Sequence, residues 1–292
     1  MVRWIGRLAS LAGALLVGWL GVVGRADAAP ALWRVSDADS QIYLFGTLHA
    51  LGPDARWRTP LYDRVLGEAG TVWFEADLQS GDPDTIRLLL QRYGSDPDTP
   101  LSHKLPPADL SALARQTDIA RLEHARPWAA ALMLSMQPAL VRGATVEKGA
   151  DLTITRAARS DAKRVRTFET LEDQARMFAS LPQPSEVRYL TSVIRERGRK
   201  PRLRLPFQPA SLEAAWLAGR LGPGQIAAIK ADNPALYDAF LRRRNLAWAD
   251  KLAAEMAGAG VELVNVGALH MIGDDGLPAL LAARGFRVER VQ

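Results

Sequence analysis

Apolar positions divide the chain into segments of different kinds. Leu8 to Val23 is an uncharged, glycine-broken apolar run behind Arg3 and Arg7, and Ala26-Asp27-Ala28 follows with small residues where a signal peptidase reads. The run is shorter than the roughly 20 residues of a membrane-spanning helix. Residues 1–28 are therefore expected to be a signal peptide cleaved after Ala28, leaving a single domain over 29–292. Leu32–Val35 and Gln41–Phe45 are short β-prone runs around the turn formers Ser36-Asp37-Ala38-Asp39-Ser40, the pattern of a hairpin. Pro60 to Gly67 reads as a helix and Thr71 to Phe74 as a third strand. From Asp84 to about Leu140 the spacing is helical, with Pro106-Pro107-Ala108-Asp109 opening one helix. Pro127 to Val141 is almost wholly apolar yet too short to span a bilayer, so it is a buried helix or a partner-binding one.

Beyond this, Asp151 to Ser160 reads as a helix, Arg164 to Phe168 as a strand and residues 172–197 as a helix. Arg199 to Pro209 is a basic, proline-containing linker, and a helix follows around Ser211 to Ala218. Gly219 to Gly224 reads as a loop. Asn233-Pro234 caps a helix expected to reach Met256 and to stop at Gly258-Ala259-Gly260. Val261–Val266 is a buried strand, Pro278–Ala283 a helix and Phe286–Val291 the last strand. Strands alternate with helices at both ends and helices dominate the middle. That order predicts an α/β fold: a mixed β-sheet built from the N- and C-terminal segments, surrounding helices, and a central helical insertion at about 84–150.

Composition narrows the function classes. The 292 residues are 48% hydrophobic and 24% charged, which excludes a disordered chain and a multi-span membrane protein. There is no cysteine, so disulfides, thiolate metal sites and a cysteine nucleophile fall away together. The formal charge of +5 shrinks once Arg3, Arg7 and Arg25 leave with the leader, and no long basic run remains to argue for a nucleic-acid partner. Arg195 to Arg204 is the densest basic stretch, a solvated loop or a contact for an acidic polymer or lipid headgroups.

Four histidines are present: His49, His103, His124 and His270. Two sit in matching frames, Gly46-Thr47-Leu48-His49 and Gly267-Ala268-Leu269-His270, each directly after an apolar strand. Glycine permits a sharp turn there, and histidine emerges at the carboxyl edge of the strand, where open α/β sheets bind ligands. Glu75 ends a third strand and Glu169 follows a fourth. Two imidazoles with one or two carboxylates suit a divalent metal that acidifies a water while a carboxylate acts as base. The same residues also suit separate, satisfied polar strand ends. Arg244 falls on the apolar stripe Tyr237, Leu241, Trp248, Leu252 and needs a partner: a structural glutamate, a carbonyl or a substrate. His103 and His124 lack glycine frames and read as surface or packing residues.

Taken in order, these blocks resemble the TraB/GumN (TraB/PrgY/GumN) family. The resemblance rests on Trp33-Arg34-Val35-Ser36, Tyr43 to His49, Glu75, Arg126-Pro127-Trp128 and Gly149-Ala150-Asp151. It continues through Phe168-Glu169-Thr170-Leu171-Glu172 with Gln174, Arg244-Asn245 with Trp248, Val266 to His270, and Gly285 to Val288. The family is similar to the Tiki-type metalloproteases and to the erythromycin-esterase/ChaN-like fold. The resemblance implies a metal and catalytic cluster of His49, Glu75 and His270, with Arg244 beside it and Glu169 as a secondary candidate. The ion expected is Mn, Co, Zn or Fe. An exported, periplasmic, metal-dependent hydrolase of peptide or protein bonds is the first expectation. A non-catalytic periplasmic binding protein for peptide, metal or haem, or an accessory factor in exopolysaccharide export, are the alternatives. Arg220 departs from the acidic residue often found there in the family, which bears on substrate contacts.

Overall fold

The computed structural model describes residues 29–77, 83–141, 143–198 and 212–292. The expected signal peptide and the stretch from Arg199 onward in the basic segment lie outside the described residues.

Six strands form one mixed sheet: β1 (Leu32–Ser36), β2 (Ser40–Thr47), β3 (Thr71–Phe74), β4 (Arg164–Thr167), β5 (Gly260–Gly267) and β6 (Arg287–Arg290), in the order β4-β3-β5-β2-β1-β6. The β1–β2 hairpin is antiparallel, and the Asp37 carboxylate accepts from the amides of Asp39 and Ser40 to close its turn. β6 adds to β1 antiparallel, while β2, β5, β3 and β4 run parallel. Parallel strands are buried on both faces, which explains the unbroken apolar runs of β2, β3 and β5. Alternation divides their side chains. Phe45, Val72, Phe74 and Leu263 face one core with Tyr62 and Trp216. Leu44, Trp73, Val264 and Val266 face the other with Trp248 and Leu281.

Helices cover both faces. α1 (Pro60–Glu68) precedes β3, its Thr59 cap accepting from the Tyr62 amide. Between β3 and β4 the chain is helical, as expected: α2 (Pro83–Tyr93), α3 (Leu101–Lys104), α4 (Pro107–Ala114), α5 (Pro127–Val141) and α6 (Ala150–Ser160). α5 buries Trp128, Ala130, Ala131 and Leu134, while Met133 and Met136 face out.

Three boundaries differ from the sequence reading. The helix expected over 172–197 is two, α7 (Leu171–Ala179) and α8 (Gln183–Gly198), parted at Pro182, which has no amide to continue the ladder. After α9 (Leu212–Leu217), the loop at Gly219 ends in an unforeseen α10 (Gly224–Asp232), which begins with no side-chain cap to signal it. The helix expected over 234–256 is α11 (Pro234–Tyr237), a π-turn (Asp238–Arg242) and α12 (Arg243–Glu255), with the Arg243 amide reaching back to the Asp238 carbonyl. α13 (Leu277–Ala283) precedes β6. Among the described residues no helix is long and apolar enough to cross a membrane.

Candidate active site

The four parallel strands deliver four chemically active side chains to one edge. β4 ends before Glu169, β3 before Glu75, β5 before His270 and β2 before His49, so sheet order sets them in that sequence. Parallel pairing carries past the strand ends: the Phe168 and Glu169 amides donate to the Phe74 and Glu75 carbonyls at 3.0 and 2.9 Å. The two motif glycines serve close approach. A Cβ on Gly46 would stand 2.8 Å from the Ala268 Cα, and one on Gly267 would stand 3.0 Å from Glu75 Oε1.

His270 is buried, with 3% of its side chain exposed. Its Nδ1 bonds Asn245 Oδ1, and that amide is oriented because Asn245 Nδ2 donates to the Asp275 carbonyl at 2.6 Å. Nδ1 therefore carries the proton, and Nε2 accepts from Arg244 Nη1 at 3.1 Å. The ring rests on Trp248 with centroids 4.6 Å apart. Burial pushes its pKa down to about 3, so the imidazole is neutral.

Arg244, which the apolar stripe left needing a partner, has several. Its Nη2 donates to Glu75 Oε2 at 2.8 Å, its Nε to Glu169 Oε2 at 3.1 Å, and Nη2 also reaches Glu169 Oε1. Nη1 additionally donates to the Phe240 carbonyl at 2.9 Å, and the guanidinium lies 4.6 Å from the Trp248 ring centroid. Gln174 Nε2 joins the carboxylates, donating to Glu169 at 2.8 Å and Glu75 at 3.3 Å. Burial alone would raise Glu75, but Arg244, the two histidines and the Gly267 amide outweigh it and hold the carboxyl at about 2. In Glu169 burial wins over Arg244 and Gln174, and its pKa is raised.

His49 is different. Its side chain is 53% exposed, and Nδ1 meets Asp151 Oδ2 at 2.9 Å. Thr47 Oγ1 donates to the other Asp151 oxygen at 2.5 Å. The Asp151 carboxylate beside it lifts His49 towards about 9. Asp151 sits in the first turn of α6, and Gly149 before it packs so closely that a Cβ would meet the His49 carbonyl at 2.2 Å. Asp151 stood in a family signpost with no role assigned by the sequence; the structure makes it the partner of His49. His103 and His124 lie in the helical insertion, away from this edge.

Residues 31–290 match the model of the TraB/PrgY/gumN family. The chain belongs to that family. It is 27% identical over 271 residues to the "Uncharacterized protein YbaP" of Escherichia coli (strain K12), covering 90% of this chain and 96% of that one. The YbaP of Shigella flexneri matches to the same extent. No solved structure matches, so the expected likeness to the erythromycin-esterase/ChaN-like fold rests on the residue pattern alone.

In this TraB/PrgY/gumN chain the donor set can be weighed against a divalent ion. Among the described residues no group of three or more His, Asp or Glu is drawn together to hold one. A pair is. His270 Nε2 and Glu75 Oε1 stand 3.4 Å apart, the separation of about 3.4 Å that two ligand atoms have on one tetrahedral ion with bonds near 2.1 Å. Both histidines also have Nδ1 anchored by an outer acceptor, the support that metal-ligating imidazoles ordinarily have. The donor types suit such an ion, which would have to displace Arg244 Nη1 from the Nε2 lone pair and share Glu75 Oε1 with the Gly267 amide that donates to it at 2.6 Å.

Proposed function

We propose that this chain is an exported, metal-dependent hydrolase acting on peptide or protein bonds. The observation that carries the reading is the pair of strand-end imidazoles, each anchored at Nδ1, with Glu75 at ligand spacing from His270. His49, His270 and Glu75 would hold a divalent ion, which when bound acidifies a water and polarises a carbonyl. Asp151 keeps the His49 ring oriented, and Asn245 fixes the His270 tautomer. Glu75, held near 2, is a poor proton acceptor and a good ligand. Glu169, with its raised carboxyl, is the better suited to take a proton at Oε. Arg244 keeps both carboxylates in place, and since its N–H groups are committed to Glu169, Glu75, His270 and the Phe240 carbonyl, it would stabilise negative charge developing on a substrate through its field.

The test is metal content and metal-dependent thermal shift of the mature chain, wild type beside His49→Ala/His270→Ala, followed by a peptide-library screen. Stoichiometric metal lost in the double variant, with cleavage products needing both histidines, is the expected result. No uptake and no shift with Mn, Co, Zn or Fe would overturn the metal site. Stoichiometric ligand uptake without product would mark a binding protein instead. Export is checked separately by sequencing the secreted chain, which should begin at Ala29.

A further inference from the structure

Beside the catalytic row a groove of about 350 Å³ opens between α7 and α12, within the size range of ligand sites. Met177 and Trp248 give it apolar walls. Its charges are unevenly committed. Asp173 commits Oδ2 to the capping box with Thr170, and Glu169 is forked to Arg244. The cations keep donors to spare. Lys251 Nζ gives one hydrogen bond, at 2.8 Å, to the Phe168 carbonyl, and Arg243 meets Asp238 through Nε at 2.8 Å, leaving its Nη groups for a ligand. Asp173 shares the field of Lys251 and is the groove's own competing carboxylate, its Oδ2 held by the Thr170 amide and hydroxyl. At its inner end the groove meets Arg244, whose other contacts are Glu75 and His270.

We propose that this groove seats the C-terminal residue of a peptide, its terminal carboxylate on Arg243 and Lys251 and its side chain against Met177 and Trp248. A residue held there has its preceding peptide bond directed towards Arg244 and the catalytic row. The inference rests on the hydrolase reading for the word substrate, but the binding itself needs no turnover. The chemistry recognised is a carboxylate, which a peptide offers at its terminus or on an acidic side chain.

The experiment is calorimetric titration of the full mature protein with three probes: N-acetyl-leucine, N-acetyl-leucinamide and N-acetyl-glutamic acid 1-amide. N-acetyl-leucine should bind, and both amides should bind at least about tenfold more weakly, the loss of a charge-assisted contact. Arg243→Ala/Lys251→Ala should bring the acid down to the level of the amides, with the far-ultraviolet dichroism unchanged because both residues are exposed. Tight binding of the glutamic amide would overturn the terminal assignment in favour of a side-chain carboxylate. Equal binding of leucine acid and amide, or an unaffected double variant, would overturn the groove altogether. Those failures leave metal uptake and peptide cleavage untouched, so they are distinguishable from failure of the hydrolase reading.

Discussion

Gly46–His49 and Gly267–His270 share a frame, follow adjacent parallel strands and end in the same residue type, yet the fold makes them opposites. The first imidazole is half exposed and sits beside a carboxylate; the second is buried and bonded to an amide. At neutral pH the first is held towards the cationic form by Asp151 and the second is neutral. The difference teaches that a repeated motif fixes where a side chain emerges, whereas its charge comes from whatever a distant segment brings to it: α6 in one case, α12 in the other.

Removing the buried half's counter-charge is the largest expected effect. Arg244→Ala leaves Glu75 and Glu169 facing each other without their cation, and should cost about 3–5 kcal/mol in urea unfolding. His270→Ala should follow at about 2–4 kcal/mol, from the cavity against Trp248 and the bonds orphaned on Asn245 and Arg244. His49→Ala should stay within about 1 kcal/mol, because the ring is half solvated and Asp151 keeps Thr47. If the hydrolase reading holds, both histidine variants lose turnover alike, so activity equalises what stability separates. Equal stability losses would erase the comparison.

The comparison is sharpened by pH. In the metal-free protein, His270 is depressed from 6.5 to about 3, so the unfolded chain takes up that proton first and stability falls as pH drops below 6.5 towards 3. Glu75, held near 2 instead of 4.5, adds a loss below 4.5. His49 is raised towards about 9, so its contribution is complete below 6.5 and is lost as pH rises through 9; because the ring is half solvated, that alkaline limb stays within the same ~1 kcal/mol. Asp151→Asn should flatten the alkaline limb, and Asn245→Asp should shallow the acid one. Ring-proton titration by nuclear magnetic resonance, with urea midpoints at each pH, checks both. An alkaline limb surviving Asp151→Asn would show that His49 does not cause it.

Much of this was legible in advance. The short apolar β-prone runs marked the strands, the strand ends pointed to Glu75, Glu169 and both histidines, and an arginine on an apolar stripe signalled that Arg244 needed a partner without saying whether it was a glutamate, a carbonyl or a substrate. Asp151 was obscured because an acid in a helix's first turn already has a sufficient reason to be there, the helix dipole. Asn245 stood beside Arg244 in the sequence with nothing to say which of the pair touched which histidine. The π-turn before α12 was invisible because one extra residue in a helical turn leaves the apolar spacing nearly unchanged while it rotates the helix beyond it. The break at Pro182 was readable from the residue before it and was overridden by the helical pattern on either side.

The place of β5 in the sheet also sets a schedule. A ribosome releases β2 and β3 early, but they do not touch; the strand that belongs between them, Gly260–Gly267, is among the last segments made. Until it arrives, β2 and β3 present bare edges to each other across the empty slot, and His49 has Asp151 beside it but no His270 opposite. Assembly is thus a late, all-at-once insertion of high contact order rather than a progressive zip. A chain stalled before residue 260 holds one motif and lacks His270, so the row of four side chains is complete only once β5 has joined the sheet.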